Sequence, residues 1–290
     1  MPRIPVLNGL IVPSDDLPFA NRTALVTGAT EGIGHQTALR LALGGARVIV
    51  HGPTTDSSEA AVERLVAAGA PATGLEILAA DFAHLGQVRD LAAQLTDRHQ
   101  RLDLLLLNAA IGGPERRTLT EEGNELCFQV NYLAPYLLTR LLERPLARGA
   151  DSRIVALSSS LHRTANIDWT DLTRAKRYSR ISAYGQSKLA LTTFVTELAR
   201  WLPEGHTAIS AHPGVAETAI RPLYGTSGLP AAEVAETVLT LCSPTTQVVN
   251  GAYYDRLTPA APGAQVAEKR SVDRLLKLSE KLVQRVSQPV

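Results

Sequence analysis

An α/β fold, a single domain built on a doubly wound, seven-stranded parallel sheet with helices on both faces, is predicted by two features of the sequence. Short apolar runs alternate with longer segments of helical period along most of the chain, the pattern of strands joined by crossover helices. The runs also lack strict apolar/polar alternation, as strands buried on both faces require. At 290 residues, 45% of them hydrophobic and 20% charged, the chain can bury one large core.

Taken in order, residues up to about Asn21 read as an N-terminal extension to a domain spanning 22–290. Its apolar part, Ile4 to Val12, is short, broken by Pro5 and bounded by Pro13, so it has neither the length of a membrane span nor the charged start of a secretion signal. The expected strands are Thr23 to Thr27, Arg47 to His51, Leu75 to Asp81, Leu102 to Asn108, Arg153 to Ser158, Ala208 to Ala211 and Gly251 to Asp255. Helices are expected to begin near Gly32, Ser57, Gly86, Thr120, Ile181 and Ala231, with a C-terminal helix over about 268–284. Gly44-Gly45, Gly69 and Pro203 supply the stop signals. The Pro- and Ala-rich stretch from Leu257 to Gly263 reads as a loop.

The bulk numbers exclude several classes. A net charge of +1 without a charge block lacks the basic footprint of a nucleic-acid surface, and no segment reads as a membrane anchor. Cys127 and Cys242 lie in apolar surroundings without metal-ligand spacing, so no metal site is expected and the thiols fit a reducing, cytoplasmic setting.

Directly after the first strand stands Thr27-Gly28-Ala29-Thr30-Glu31-Gly32-Ile33-Gly34, opening into a helix. Glycines there permit a tight turn and a close approach of backbone to a pyrophosphate, whose charge is met by the helix N-terminus. The second strand ends His51-Gly52-Pro53-Thr54-Thr55 with no acid until Asp56. An acid there would hold the ribose hydroxyls of NAD, and its absence favours NADP(H) over NAD(H). Thr54, Thr55, Ser57 and His35 offer hydrogen bonds to a 2′-phosphate, although no Arg or Lys lies just after the strand and Glu31 would sit near that phosphate. Asp81 and Phe82 close the third strand, where the acid either accepts from the adenine amino group or caps the following helix.

Chemistry is signalled by Tyr184 and Lys188, four positions apart on one helix and following a strand that ends in Ser158, Ser159 and Ser160. Side chains at this spacing share a face, so the ammonium can favour the ionised phenol and let it exchange a proton with a substrate near neutral pH.

With these residues in hand, the chain resembles the short-chain dehydrogenase/reductase family, a Rossmann-type fold, over roughly Arg22 to Asp255. Thr27 to Gly34 matches its Thr-Gly-x-x-x-Gly-x-Gly, and Asn108-Ala109-Ala110 matches Asn-Asn-Ala-Gly incompletely. Asn131, Ser159, Tyr184, Lys188 and Pro213-Gly214 match the remaining motifs. Phe128 to Ala134, the insertion from His162 through Asp168-Trp169 to Tyr178, and Leu278 to Leu282 resemble the retinol-dehydrogenase-like branch, which has bacterial members of unrelated substrate range. The resemblance implies Tyr184 as general acid in reduction, and Lys188 as the group that lowers its pKa and holds the nicotinamide ribose. It implies Ser159 as the hydrogen-bond donor to the substrate oxygen, with Ser158 and Ser160 one position away, and Asn131 as the anchor of a water linking Lys188 to solvent. Cofactor contacts carry over to Gly28, Thr30, Glu31, Gly32, Ile33, Gly34, His51, Gly52, Thr54, Asp81, Phe82, Asn108, Ala109, Ala110, Tyr184, Lys188, Pro213, Gly214, Val215 and Thr218. In the family the helices containing Asn131 and Tyr184 often pair across subunits, which allows a homo-oligomer, although the C-terminal helix could block one of these surfaces.

The segment from about 215 to 230 is short for a substrate lid and suggests an open site. Its Leu223 and Tyr224, with Ile111, Ser160, Trp169 and Tyr178, are the expected substrate contacts, and Arg116, Arg117 and Arg221 stand nearby in the sequence. The expected function is therefore NADP-dependent reduction of C=O or C=N in a bulky, mostly apolar small molecule. A natural-product intermediate fits the arginine-rich, lysine-poor composition of a GC-rich bacterial genome. The alternatives are a non-redox cyclase, dehydratase or epimerase using Tyr184 as acid or base, and a cofactor-sensing binding protein.

Overall fold

The computed structural model describes residues 17–284 and, ahead of them, the antiparallel strand pair Val6–Leu7 and Leu10–Ile11. The rest of the expected N-terminal extension before residue 17 lies outside the described residues. The main sheet comprises β1 (Thr23–Val26), β2 (Arg47–Gly52), β3 (Leu75–Ala79), β4 (Leu104–Leu107), β5 (Arg153–Leu157), β6 (Thr207–His212), β7 (Tyr253–Asp255) and β8 (Thr258–Ala260). Its spatial order is β8-β7-β6-β5-β4-β1-β2-β3. The first seven strands are parallel, as expected. The eighth corrects the sequence reading: the supposed loop turns at Arg256, which holds φ 54°, and runs back antiparallel along β7. Pro259 is accommodated because β8 is an edge strand, where a missing N–H breaks no ladder.

The helices are α1 (Gly32–Leu43), α2 (Thr55–Ala67), α3 (Leu85–Arg98), α4, α5 (Glu143–Ala147), α6 (Arg180–Leu198), α7 (Ala231–Cys242) and α8 (Lys269–Gln284). Here α4 is the continuous rod formed by Leu126–Phe128, a π-helical turn at Gln129–Leu133, and Ala134–Leu141. It starts later than the expected Thr120. Gly123, at φ 77°, and Asn124 close a tight turn bridging Leu119 to Glu125, and the buried Glu125 carboxylate then caps the helix by accepting from Cys127 and Phe128 N–H.

Successive strand residues face opposite sides, so the apolar runs feed two cores. Ala24, Val26, Leu104 and Leu106 pack under α1, α2 and α7. Leu25, Leu105 and Leu107 pack under α3, α4, α6 and α8. Each fully buried Leu contributes about 1.5–3 kcal/mol, which explains why strands without a polar face are tolerated only between two helical layers. The amphipathic α8 buries Val272, Leu275 and Leu282, and Ser279 meets the Tyr132 hydroxyl of α4 at 2.6 Å.

From β1 the chain winds outward through β2 and β3, then returns to place β4 on the other side of β1. The loops leaving β1 and β4 therefore diverge, and the crevice between them is where open α/β sheets receive ligands. No helix among the described residues is long and apolar enough to cross a membrane, and none of their His, Cys, Asp and Glu clusters has the makings of a metal site.

Candidate active site

The turn after β1 is built so that a side chain cannot intrude. Gly28 and Gly32 adopt φ 63° and 56°, a region glycine enters without strain. A Cβ at Gly34 would stand 2.3 Å from both the Asn108 amide nitrogen and the Gly28 carbonyl. Asn108 fixes this geometry, its Nδ2 donating to the carbonyls of Thr27 (2.8 Å) and Gly28 (2.9 Å). Thr27, not singled out from sequence beyond its motif, accepts at Oγ1 from the N–H groups of Asn108 and Ala109 and so ties β1 to β4 at the switch point. His51 closes the other side: its Nδ1 accepts from Gly28 N–H at 3.1 Å, and its Nε2 donates to the Ala80 carbonyl at 3.0 Å. Burial lowers its pKa to about 4, so the ring is neutral at physiological pH and can make both bonds. Its ring centre lies 4.5 Å from that of Phe82. The glycine turn thus presents backbone and no side chain to the start of α1, the cradle a pyrophosphate needs.

At the far end of the same crevice, α6 brings up Tyr184 and Lys188. Both are buried, and α6 is held at its start by the Ser179 hydroxyl accepting from Ser182 N–H. Lys188 Nζ donates to the Leu157 carbonyl at 2.7 Å and lies 5.7 Å from the centre of the Tyr184 ring. Burial draws the ammonium pKa down to about 8. The Tyr184 phenol shifts the other way, well above its ordinary value, chiefly through burial and then through the neighbouring Tyr224 hydroxyl, against a smaller opposing effect of Ser159. Burial is the largest of these effects, and the phenol is protonated at neutral pH.

The three serines separate. Ser159 Oγ is 2.6 Å from the Tyr224 hydroxyl and close enough to Tyr184 to offset part of the rise in its pKa. Ser158 is spent on Thr192 at 2.6 Å, and Ser160 opens a 3-10 turn. Asn131 sits in the π-helical turn with its amide committed: Oδ1 accepts from Ile111 N–H, and Nδ2 donates to Ile111 O, Cys127 Sγ and Ser187 Oγ. None of these side-chain bonds reaches Lys188, and through Ile111 they clamp the loop after β4.

One cavity of about 600 Å³ joins the two ends. It is lined by Gly28, Thr30, Glu31, Gly32, Ile33, His51, Asp81, Phe82, Asn108, Ala109, Ala110, Ile111, Tyr184, Lys188, Pro213, Gly214, Val215, Thr218 and Tyr224. Gly52 lies beneath it, with Thr30 Cγ2 only 2.4 Å from where a Cβ would be. Thr54 and Ser57 form a reciprocal capping box on α2, and Asp81 accepts from Ala83 N–H in the turn before α3. Trp169 is a correction: it packs toward α8 under the Arg274 guanidinium, 4.7 Å from its ring, away from the cavity. Tyr178 and Leu223 pack behind Tyr184, and the Tyr178 hydroxyl is occupied by the Pro114 carbonyl at 2.7 Å. The short segment after Pro213 also does not leave the site open, because its Tyr224 covers Ser159. Sequence reasoning missed two further neighbours. Arg64 reaches back from α2 to the Thr30 carbonyl at 2.6 Å, and His212 lines the cavity with its ring stacked on Tyr224.

A strand-switch cradle for a dinucleotide, opening directly onto a buried tyrosine–lysine pair, is the arrangement of a nicotinamide-dependent oxidoreductase. Comparison with known proteins agrees. The chain belongs to the short-chain dehydrogenase/reductase family, whose short chain dehydrogenase model matches residues 22–225. It is 38% identical to the protein named "Putative daunorubicin C-13 ketoreductase DnrU" of Streptomyces sp. (strain C5), covering 86% of this chain and 88% of that one. It is 34% identical to retinol dehydrogenase 13 of Homo sapiens, covering 90% and 84%. Among solved structures, an uncharacterized protein from Mycobacterium paratuberculosis superposes with a TM-score of 0.76 at 31% identity, covering 94% of this chain and 97% of that one.

Proposed function

We propose that this protein is an NADPH-dependent reductase acting on a C=O or C=N group of a bulky, mostly apolar small molecule. The observation that carries the reading is the single cavity linking the side-chain-free glycine turn to Tyr184 and Lys188. Tyr184, kept protonated by burial, is the proton donor to the developing oxyanion or amide anion. Ser159 donates a hydrogen bond to the same atom and stabilises its charge. Lys188, held by the Leu157 carbonyl, supplies positive charge beside the phenol as it gives up its proton. Asn131 keeps Ile111 and the loop after β4 in place against the cavity. The bound dinucleotide supplies the hydride.

NADPH is favoured over NADH because β2 ends without an acid and because the hydroxyls of Thr54 and Ser57 stand at that strand end with Arg64 close to Thr30. Glu31 opposes this choice, so the guanidinium is the deciding charge. Arg64→Ala is expected to weaken NADPH binding about tenfold, the loss of one charge-assisted contact of about 1.5 kcal/mol, and to leave NADH binding unchanged in parallel titrations. An apolar substrate of some size agrees with the ketoreductase and retinol dehydrogenase names among the relatives and with the apolar side chains of Ile111 and Ile220 at the cavity. The reading is tested by NADPH consumption with a panel of polycyclic ketones and cyclic imines: turnover there is the expected result, and turnover of small polar sugars alone would refute it.

A further inference from the structure

The hydroxyl pair at the end of the cavity is covered by another residue of the chain. Ser159 is fully buried and Tyr184 is 3% exposed. The covering residue is Tyr224, from the 3-10 turn Arg221–Tyr224, whose hydroxyl lies 2.6 Å from Ser159 Oγ and lines the same cavity as the Tyr184 phenol, whose pKa it raises. An oxygen bonded to Ser159 and beside the Tyr184 phenol stands where the oxygen of a reducible carbonyl has to stand, because proton transfer from Tyr184 and charge stabilisation by Ser159 require hydrogen-bond contact with that one atom. Resting on the reductase reading above, we propose that Tyr224 holds the place of the substrate's oxygen and thereby determines specificity. A molecule is admitted only if it brings its own acceptor oxygen or nitrogen to Ser159 and Tyr184 and enough bulk to keep the Tyr224 ring aside.

The build of the segment supports displacement of its tip alone. Its neck is pinned, Leu229 N–H donating to Val215 O at 2.8 Å and Glu217 N–H to Leu229 O at 2.9 Å. The tip ends at Gly225, which adopts φ 64° with nothing within 4 Å of where a Cβ would be. Tyr224 can therefore turn about Gly225 without breaking the neck. A second observation points to where the displaced group finds partners. The Tyr224 ring stacks on His212 at 5.8 Å and 21°, and His212 Nδ1 is buried with no hydrogen-bond partner. The Tyr253 hydroxyl, within electrostatic range of Tyr224, is likewise buried and unpartnered. Buried polar atoms are rarely left so, and either atom can take the phenol once a substrate has claimed Ser159.

The test uses p-cresol, the tyrosine side chain's own analogue, titrated into the full chain by calorimetry, which needs neither cofactor nor turnover. Tyr224→Ala is expected to bind p-cresol at least tenfold more tightly than the parent, and adding Ser159→Ala is expected to abolish that gain. A gain under threefold, or one that survives Ser159→Ala, would overturn the placement even if the reductase reading stands. In the kinetic arm, Tyr224→Phe keeps the ring on His212 and removes the hydroxyl. It is expected to raise kcat/KM at least threefold for a bulky aryl ketone, with a larger rise for a small aldehyde that cannot hold the ring aside. A smaller change, or a fall in kcat that would mark the phenol as a proton donor, counts against the proposal. If no carbonyl is reduced by the parent, the reductase reading fails while the p-cresol titration still decides where Tyr224 stands.

Discussion

Replacing Tyr184 with phenylalanine is expected to lower kcat for carbonyl reduction by about 10²- to 10⁴-fold, the usual range for removing a positioned general acid, while leaving the affinity for the dinucleotide within about twofold. The phenol is buried and protonated at neutral pH, so the hydroxyl is lost from the proton path without a change in shape. Phenylalanine keeps the ring that packs with Cys127 and Ala183, and the fold should unfold at a similar temperature. Single-turnover kinetics with saturating cofactor separates the two effects. A variant that lost cofactor affinity and kept its chemical rate would reassign Tyr184 to binding.

The second large effect runs in opposite directions for activity and stability. Lys188→Met is expected to reduce activity by about 10²-fold or more, since the cation beside the phenol disappears, and yet to stabilise the fold at pH 7. Lys188 has its ammonium pKa lowered from 10.5 to about 8 by burial. Below pH 8 both states hold the proton, and the folded state carries the cost of a buried charge, on the order of 3 kcal/mol. Between pH 8 and 10.5 the unfolded chain binds more protons than the folded one, so parent stability rises with pH across that window. Methionine removes the charge and leaves the Leu157 carbonyl without its donor, a loss of about 1–3 kcal/mol. The net advantage is then on the order of 1 kcal/mol at pH 7, and it should vanish by about pH 10 as the parent recovers. Urea unfolding of both proteins at the two pH values checks this, and an advantage that does not depend on pH would mean that burial of the charge is not its source.

How much of this was legible in the residues depended on whether the signal was local. The seven parallel strands were readable because burial on two faces forces continuous apolar runs such as Leu104 to Leu107. The glycine turn was readable because only glycine fits its crowded positions. The start of α4 was misplaced because a glycine turn signal competes there with the helical period, at Gly123 and Asn124 ahead of the Glu125 cap. β8 was hidden by Pro259, which reads as a breaker unless the strand is known to be an edge. In the site, Tyr184 and Lys188 share a helix face, so their proximity followed from spacing, whereas Ser159 was singled out among three serines by the family resemblance. Arg64 was missed because two turns of α2 carry it back over the turn after β1, and Trp169 was misjudged because the insertion folds toward α8. The contact of Tyr224 with Ser159 spans 65 positions and depends on how the 3-10 turn packs, which no local pattern encodes. The raised phenol pKa was also out of reach, because burial of Tyr184 is a property of the assembled layers.

The most direct test of the central claim is reduction of a polycyclic ketone with NADPH deuterated at the transferred position of its nicotinamide ring. The product is expected to carry one deuterium on the former carbonyl carbon and one solvent proton on oxygen, with one NADPH consumed per product formed, and Tyr184→Phe is expected to slow both together. An isomeric product of unchanged mass, formed without NADPH consumption and still dependent on Tyr184, would contradict a reductase and leave the tyrosine as the acid or base of a non-redox reaction.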